Sequence, residues 1–221
     1  MKYFNFPKSW EDDQNIPKEV IYKVLNADTK TKEFISETIK KSRKKYTLNF
    51  ENTGIEQNEI IDEINFIYIE LKKRGKEEKI IRLFHNLIPR QTVLILASDN
   101  KTMISVAIKS IDKVVKIEKI YNTDWFEEEK ENSFLETLDM KHYNAMNLKT
   151  FYESILDRVK TYKVFGGNVK KENIQTKDLD EMIRLKEELE EIEIKMKKET
   201  QLNRRVELGK RRREIMEKLE K

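Results

Sequence analysis

Apolar positions recur at two periods along this chain, and the switches between them lay out its elements. From Ile64 to Lys72 the run INFIYIELK alternates every second residue. Ile67, Ile69 and Leu71 fall on one face, and Phe66, Tyr68, Glu70 and Lys72 on the other. β-branched and aromatic residues dominate the run, as they do in strands. Both faces are apolar over most of its length, which predicts a central strand covered on both sides. Gly75 breaks it. From Glu77 to Leu87 the period becomes helical, with Ile80, Ile81, Phe84, Leu87 and Ile88 on one side, and Pro89 stops the helix. Thr92 to Ala97 and Met103 to Lys109 flank Ser98-Asp99-Asn100-Lys101, whose turn chemistry predicts a hairpin. Val114 to Tyr121 predicts a further strand. Leu148 to Val159 predicts a helix that buries Phe151, Tyr152, Ile155, Leu156 and Val159.

The flanks are less regular. Met1 to Val20 mixes Tyr3, Phe4, Phe6 and Trp10 with Pro7 and Pro17, which predicts an irregular wrap laid over the core. A helix is expected from an N-cap at Asp28, carrying Phe34, Ile35 and Ile39 into the basic cluster Lys40, Lys41, Arg43, Lys44 and Lys45. Tyr46 to Phe50 reads as a short strand, ended by Asn52 and Gly54. The acidic run Glu127 to Glu131 reads as a solvated loop. Gly166-Gly167 and the polar residues after it read as a linker. These assignments divide the chain into a core at 1–165, a linker at 166–175 and a helical arm at 176–221.

The arm has no proline and one glycine, Gly209. A capping box is expected at Asp178 and Glu181. Met182, Leu185, Leu189, Ile192 and Met196 then follow at alternating spacings of three and four, a heptad seam suited to a coiled coil or to a partner. The seam fails after Glu199. A second apolar set, Leu202, Val206, Leu208, Ile215 and Leu219, is out of register with the first. A hairpin or one long helix with changing partners explains the break. Charge favours the hairpin. Lys177 to Lys198 holds six basic and eight acidic residues, net −2, and Glu199 to Lys221 holds eight basic and five acidic, net +3. Opposite signs favour side-by-side pairing, although each exposed pair is weak.

Composition fits a globular domain with a wet appendage. Of 221 residues, 38% are hydrophobic and 39% charged, less apolar and more charged than a typical domain. The net charge of +4 does not by itself demand nucleic acid. With no cysteine, disulfides and thiolate metal sites are excluded. No apolar run approaches the ~18 residues of a membrane span, and the N-terminal MKYFNFPKSW lacks a signal-peptide core. A soluble cytoplasmic protein with no membrane partner is expected.

One spacing suggests catalysis. Glu70 and Lys72 point the same way on a strand, so a carboxylate for a divalent metal and a lysine to polarise water stand together, as in restriction-type nucleases; Asp62 or Glu63 would supply a first acid. The plainer reading is a central strand emerging into solvent. His85, near the end of its helix, is expected to be capping or half-buried. His142 is expected at the surface, and neither histidine has a neighbour suited to activating a nucleophile. Gly166-Gly167 lacks the residues of a phosphate loop. Two basic clusters suit phosphate: Lys40 to Lys45, and the denser Arg204, Arg205, Lys210, Arg211, Arg212 and Arg213. The plainer reading of the second is a solvated face paired with the acidic first helix of the arm.

Several short motifs carry a resemblance. Lys198-Glu199-Thr200-Gln201-Leu202-Asn203-Arg204-Arg205-Val206-Glu207-Leu208 resembles the closing motif of a bacterial domain-of-unknown-function family. So do the opening Phe6-Pro7-Lys8-Ser9 and Ile16-Pro17-Lys18, the strand ending in Leu71-Lys72, Ile88-Pro89 before Val93 to Ala97, and Tyr121, Thr123 and Trp125. Gly209 departs from the asparagine usual there. The resemblance spans nearly the whole chain. It implies a place beside the helicases and DNA methyltransferases of restriction and phage-defence gene clusters, and it transfers no catalytic residue.

The expectation is an α+β protein: a mixed sheet with flanking helices, plus a C-terminal helical hairpin or coiled-coil arm. Functionally it is a non-catalytic accessory that docks a helicase or methyltransferase through Met182, Leu185, Leu189, Ile192 and Met196, with DNA contact through the basic helix. No cofactor and no metal site are expected. Two alternatives stand: a Mg-dependent nuclease using Glu70 and Lys72, and a homodimeric scaffold.

Overall fold

A computed structural model describes residues 1–111, 114–167 and 176–219; the side chains of Lys2, Ile111, Thr176, Lys177 and Asp178 lie outside that description, and with them the Asp178 half of the expected capping box. The described chain divides into two units, residues 1–169 and residues 170–221.

The first unit is organised around the apolar run at 64–71. That run is β3 (Ile64–Leu71), flanked by β2 (Ile39–Leu48) antiparallel and β4 (Gln91–Ser98) parallel. The six strands lie in chain order, from β1 (Glu11–Asn15) through β5 (Lys101–Ile111) to β6 (Val115–Asn122). Every pairing but β3–β4 is antiparallel. A parallel pair needs a crossover, which α4 (Glu77–Leu87) supplies. The β4–β5 turn puts Asp99 and Asn100 at φ 50° and 60°, the left-handed pair of a tight hairpin that Asn and Asp tolerate.

Alternation decides what each face buries. Ile67, Ile69, Leu71, Leu94 and Leu96 pack with Ile21 of α1 (Lys18–Val24), Ile35 of α2 (Thr29–Thr38), and Ile80, Ile81 and Phe84 of α4. On the other face Phe66 meets Phe4 and Phe6 edge-on, and Phe6 contacts Trp10, Tyr46 and Phe151. Each fully buried Ile or Phe contributes roughly 1.5–3 kcal/mol. Phe151 belongs to α6 (Leu148–Phe165), which lies against β5 and β6. Two short helices, α3 (Phe50–Thr53) and α5 (Asn132–Thr137), fill the connections.

Three sequence readings are corrected. The helix from Asp28 stops at Thr38, and the basic cluster expected beyond it is part of β2. Of the supposed strand at 46–50, residues 46–48 are the end of β2, and Phe50 opens α3. The N-terminal wrap also contains a strand, the acidic β1. Its Asp12 pairs with Lys44 at 2.6 Å, and Asp13 pairs with Arg43 and Lys45 at 2.7 Å each. Ladder pairing with a charge-complementary neighbour outweighs local helical propensity here.

The second unit is a helical hairpin of α7 (Thr176–Lys198) and α8 (Leu202–Leu219). Leu185, Ile192 and Ile215 form its buried centre, flanked by Leu189, Met196, Leu208 and Leu219. Arg211 reaches Glu188 at 2.7 Å, and Arg212 reaches Glu193 at 3.2 Å. The register break after Glu199 is therefore the reversal. No described helix is long and apolar enough to cross a membrane.

Candidate functional site

Parallel strands leave a crevice beyond their carboxyl ends, where ligands of α/β sheets commonly bind. Such a groove, of about 820 Å³, opens beyond β3 and β4, and Lys40, Tyr68, Glu70, Lys72, Thr102 and Glu128 line it. β3 delivers Tyr68 and Glu70 to the same side, as alternation requires, and Lys72, in the bend just past the strand, lines the same groove. A backbone bridge between Thr102 and Phe126 holds the opposite wall, and the Thr102 hydroxyl donates to Glu128 at 3.0 Å. The acidic run is thus no free loop: it includes a 3-10 turn at Glu128–Lys130 and forms that wall. Tyr68 is pushed above the ordinary phenol pKa, first by burial and then by Glu70 and Glu128.

Glu70 is engaged. Lys40 donates to it at 2.7 Å, and this contact raises the lysine's pKa. Lys72 is exposed. Asp62 lies before the opposite end of β3, where Arg90 holds it at 3.0 Å. At about 3.3 Å per residue, eight residues of extended chain separate it from Glu70 by more than about 20 Å. Asp62 and Glu70 are not brought together. Among the described residues, no group of three or more His, Asp or Glu side chains is placed to hold a metal ion.

The other titratable surprise is internal. His85, expected to be capping or half-buried, is fully buried, with Nε2 3.0 Å from the Ser105 hydroxyl. Burial first, and Lys109 second, hold its pKa well below the usual value. Lys109 donates to the Ile88 carbonyl at 3.1 Å, the Arg90 carbonyl at 2.8 Å and the Thr92 hydroxyl at 3.2 Å, and burial lowers its pKa to about 7. Ile88 and Arg90 lie just past the end of α4, where the helix dipole favours a cation. With both side chains almost inaccessible, this cluster holds β5 to α4 and offers no route to a substrate. No sequence signal marks it, since Lys109 sits in an ordinary strand pattern. His142 is half-buried, and its carbonyl accepts from Arg158 at 2.6 Å.

In the hairpin, the seam named for docking faces α8. Leu185 and Ile192 are buried, and Met182, Leu189 and Met196 are half-buried. Of the six cations in the basic cluster of α8, Arg204, Arg211 and Arg212 are committed to Glu199, Glu188 and Glu193. Arg205, Lys210 and Arg213 have no acidic partner among the described residues and are exposed. Helical spacing puts Lys210 and Arg213 on the side away from Leu208 and Ile215, together with Leu202 and Val206, which are 74% and 50% exposed, while Arg205 lies on the flank between the two sides.

No curated protein and no solved structure matches this chain. The motifs quoted from Phe6 to Leu208 all lie within one family match. The profile of the family described as Domain of unknown function (DUF4391) matches residues 4–219, almost the full length, and the chain belongs to that family.

Proposed function

We propose that the protein is a non-catalytic accessory of a bacterial restriction-modification or phage-defence system, acting in the cytoplasm and docking a helicase or DNA methyltransferase through its hairpin. One observation carries this reading. The hairpin closes its own seam and still leaves Leu202 and Val206 in solvent between Arg205, Lys210 and Arg213. The buried core of an interface is more apolar than the rest of the surface, and arginine is enriched there. The docking residues are then those of the outer face of α8, because α8 already covers the seam of α7.

The test is co-expression with the helicase or methyltransferase encoded beside the gene. Co-purification with the wild type that is lost in L202D/V206D supports docking. Binding that survives this variant, or no binding to either enzyme, overturns it. A dimer of the purified chain by light scattering that L202D/V206D dissociates assigns the face to a homodimeric scaffold instead.

A metal-dependent nuclease remains the second reading, favoured by Glu70 and Lys72 lining one groove. Plasmid cleavage with Mg²⁺ or Mn²⁺ that K72A abolishes selects it. Against it stand the Lys40–Glu70 pair and the remoteness of Asp62.

A further inference from the structure

The β3–α4 connection reads Lys72-Lys73-Arg74-Gly75-Lys76, four cations in five residues. Residues 72 to 75 are exposed, and Gly75 turns the chain at φ 101°, a conformation open to glycine. Pairing brings other cations to the same end of the sheet. Lys41 lies across from Glu70 in the ladder, and Lys40 reaches the Glu70 carboxylate. The Lys72 amide donates to the Thr38 carbonyl at the end of α2. Lys18 donates to the Ser36 carbonyl at 3.2 Å and feels the charge of Lys72. Three segments remote in sequence, near 18, 40 and 73, therefore converge. Local composition does not explain that convergence.

Acids stand among these cations too, and Glu77 accepts from the Gly75 amide. Glu70 engages Lys40, while Asp99 and Glu37 stand 3.7 Å from Arg74 and Lys76. Lys41, Lys72 and Lys73 have no acidic partner among the described residues and are exposed. The hairpin cluster is balanced alike, with three of its six cations paired across the helices or to Glu199, but it draws its cations from a single helix.

We infer that this end of the sheet contacts the phosphate backbone of a nucleic acid, with Lys41, Lys72 and Lys73 as its core and Arg74 and Lys76 beside them. Hydrated, flexible lysines on a strand end and a glycine turn suit phosphodiesters. A membrane-surface site would pair its basic face with an apolar helix face. Glu127, Glu128 and Glu129 on the far wall of the groove repel phosphate and confine the strand to the basic rim. Binding is sequence-independent and driven by counterion release. The inference is independent of the docking reading, since it uses the first unit and needs no protein partner.

The test is fluorescence anisotropy of the full chain with a short labelled duplex and with one of its strands, over a salt series in EDTA so that cleavage is silent. K41Q/K72Q/K73Q is expected to weaken binding about tenfold or more and to reduce the log–log salt slope by about 0.9 for each phosphate no longer neutralised. K41R/K72R/K73R keeps the charge and is expected to bind as the wild type does, with unfolding midpoints confirming that both variants fold. R205Q/K210Q/R213Q and L202D/V206D are expected to bind normally. The inference is overturned if the wild type binds neither probe in a salt-dependent way, if the arginine variant loses as much as the glutamine one, or if the hairpin variant alone loses binding. Binding to phosphatidylglycerol vesicles with none to nucleic acid also overturns it.

Discussion

The hydroxyl of Tyr152 accepts from the amide of Ala107 at 3.1 Å and stands 2.8 Å from the Ala107 carbonyl. The contact lies where β4 and β5 part, just beyond their last ladder pair, Val93 with Val106. The Thr92 carbonyl, on the facing strand, is 3.3 Å from the same hydroxyl. α6 thus replaces a missing rung of the sheet with a side chain. Tyr152→Phe keeps the ring and orphans a buried amide, so a loss of about 1–3 kcal/mol is expected from urea unfolding. An unchanged midpoint would show that this bond contributes nothing.

Ile215 is fully buried at the centre of the hairpin. Ile215→Ala is expected to cost that unit about 2–5 kcal/mol, through reduced apolar burial and the cavity left behind. Hydrogen exchange checks it: amides of α7 and α8 should exchange faster while those of β3 to β5 keep their protection. Equal loosening of the sheet would contradict the division into two units.

The Arg211–Glu188 pair crosses the hairpin and lowers the pKa of Glu188, chiefly through the hydrogen bond. Arg211→Glu places like charges across the helices and should loosen α8 in hydrogen exchange. The swap E188R/R211E should restore protection. Failure of the swap would mean that the pair is outweighed by the packed stem of the arginine or by the like charges the swap sets beside Glu214 and Arg184.

Lys109 makes stability depend on pH. Its folded pKa of about 7 lies below the 10.5 of an ordinary lysine. Between those values the unfolded chain binds the proton that the folded chain has released, so stability rises with pH from about 7 to about 10. The contribution is complete above the upper value and lost as pH falls to the lower one. Urea midpoints across that range should rise more steeply for the wild type than for Lys109→Met. Identical slopes would show that the three-acceptor cage keeps the ammonium charged.

Much of the fold was legible because period and punctuation agree along most of the chain. The helix at Glu77–Leu87 has the extent its pattern implies, since a 3.6-residue apolar face and Pro89 leave little choice. The strand at 64–71 and the turn at Asp99-Asn100 were equally clear. The helical hairpin was foreshadowed by the phase break and by opposite charge. Residues 39–48 misled, because a run of lysines carries no period and its strand state depends on β1 and β3 on either side.

The site was less legible. Sequence alone determined that Tyr68 and Glu70 share a face, because a strand alternates; Lys72 falls one residue past the strand. Sequence also determined that α7 and α8 differ in charge sign. Only tertiary structure decided that Lys40 takes the Glu70 carboxylate, that Asp62 sits at the wrong end of β3, and that Lys41 and Lys73 crowd toward one rim. It also decided that the heptad stripe faces α8. Periodicity reports which way a side chain points relative to its own backbone. Which charge meets which depends on strand pairing and helix reversal, and these bring together residues that no local pattern relates.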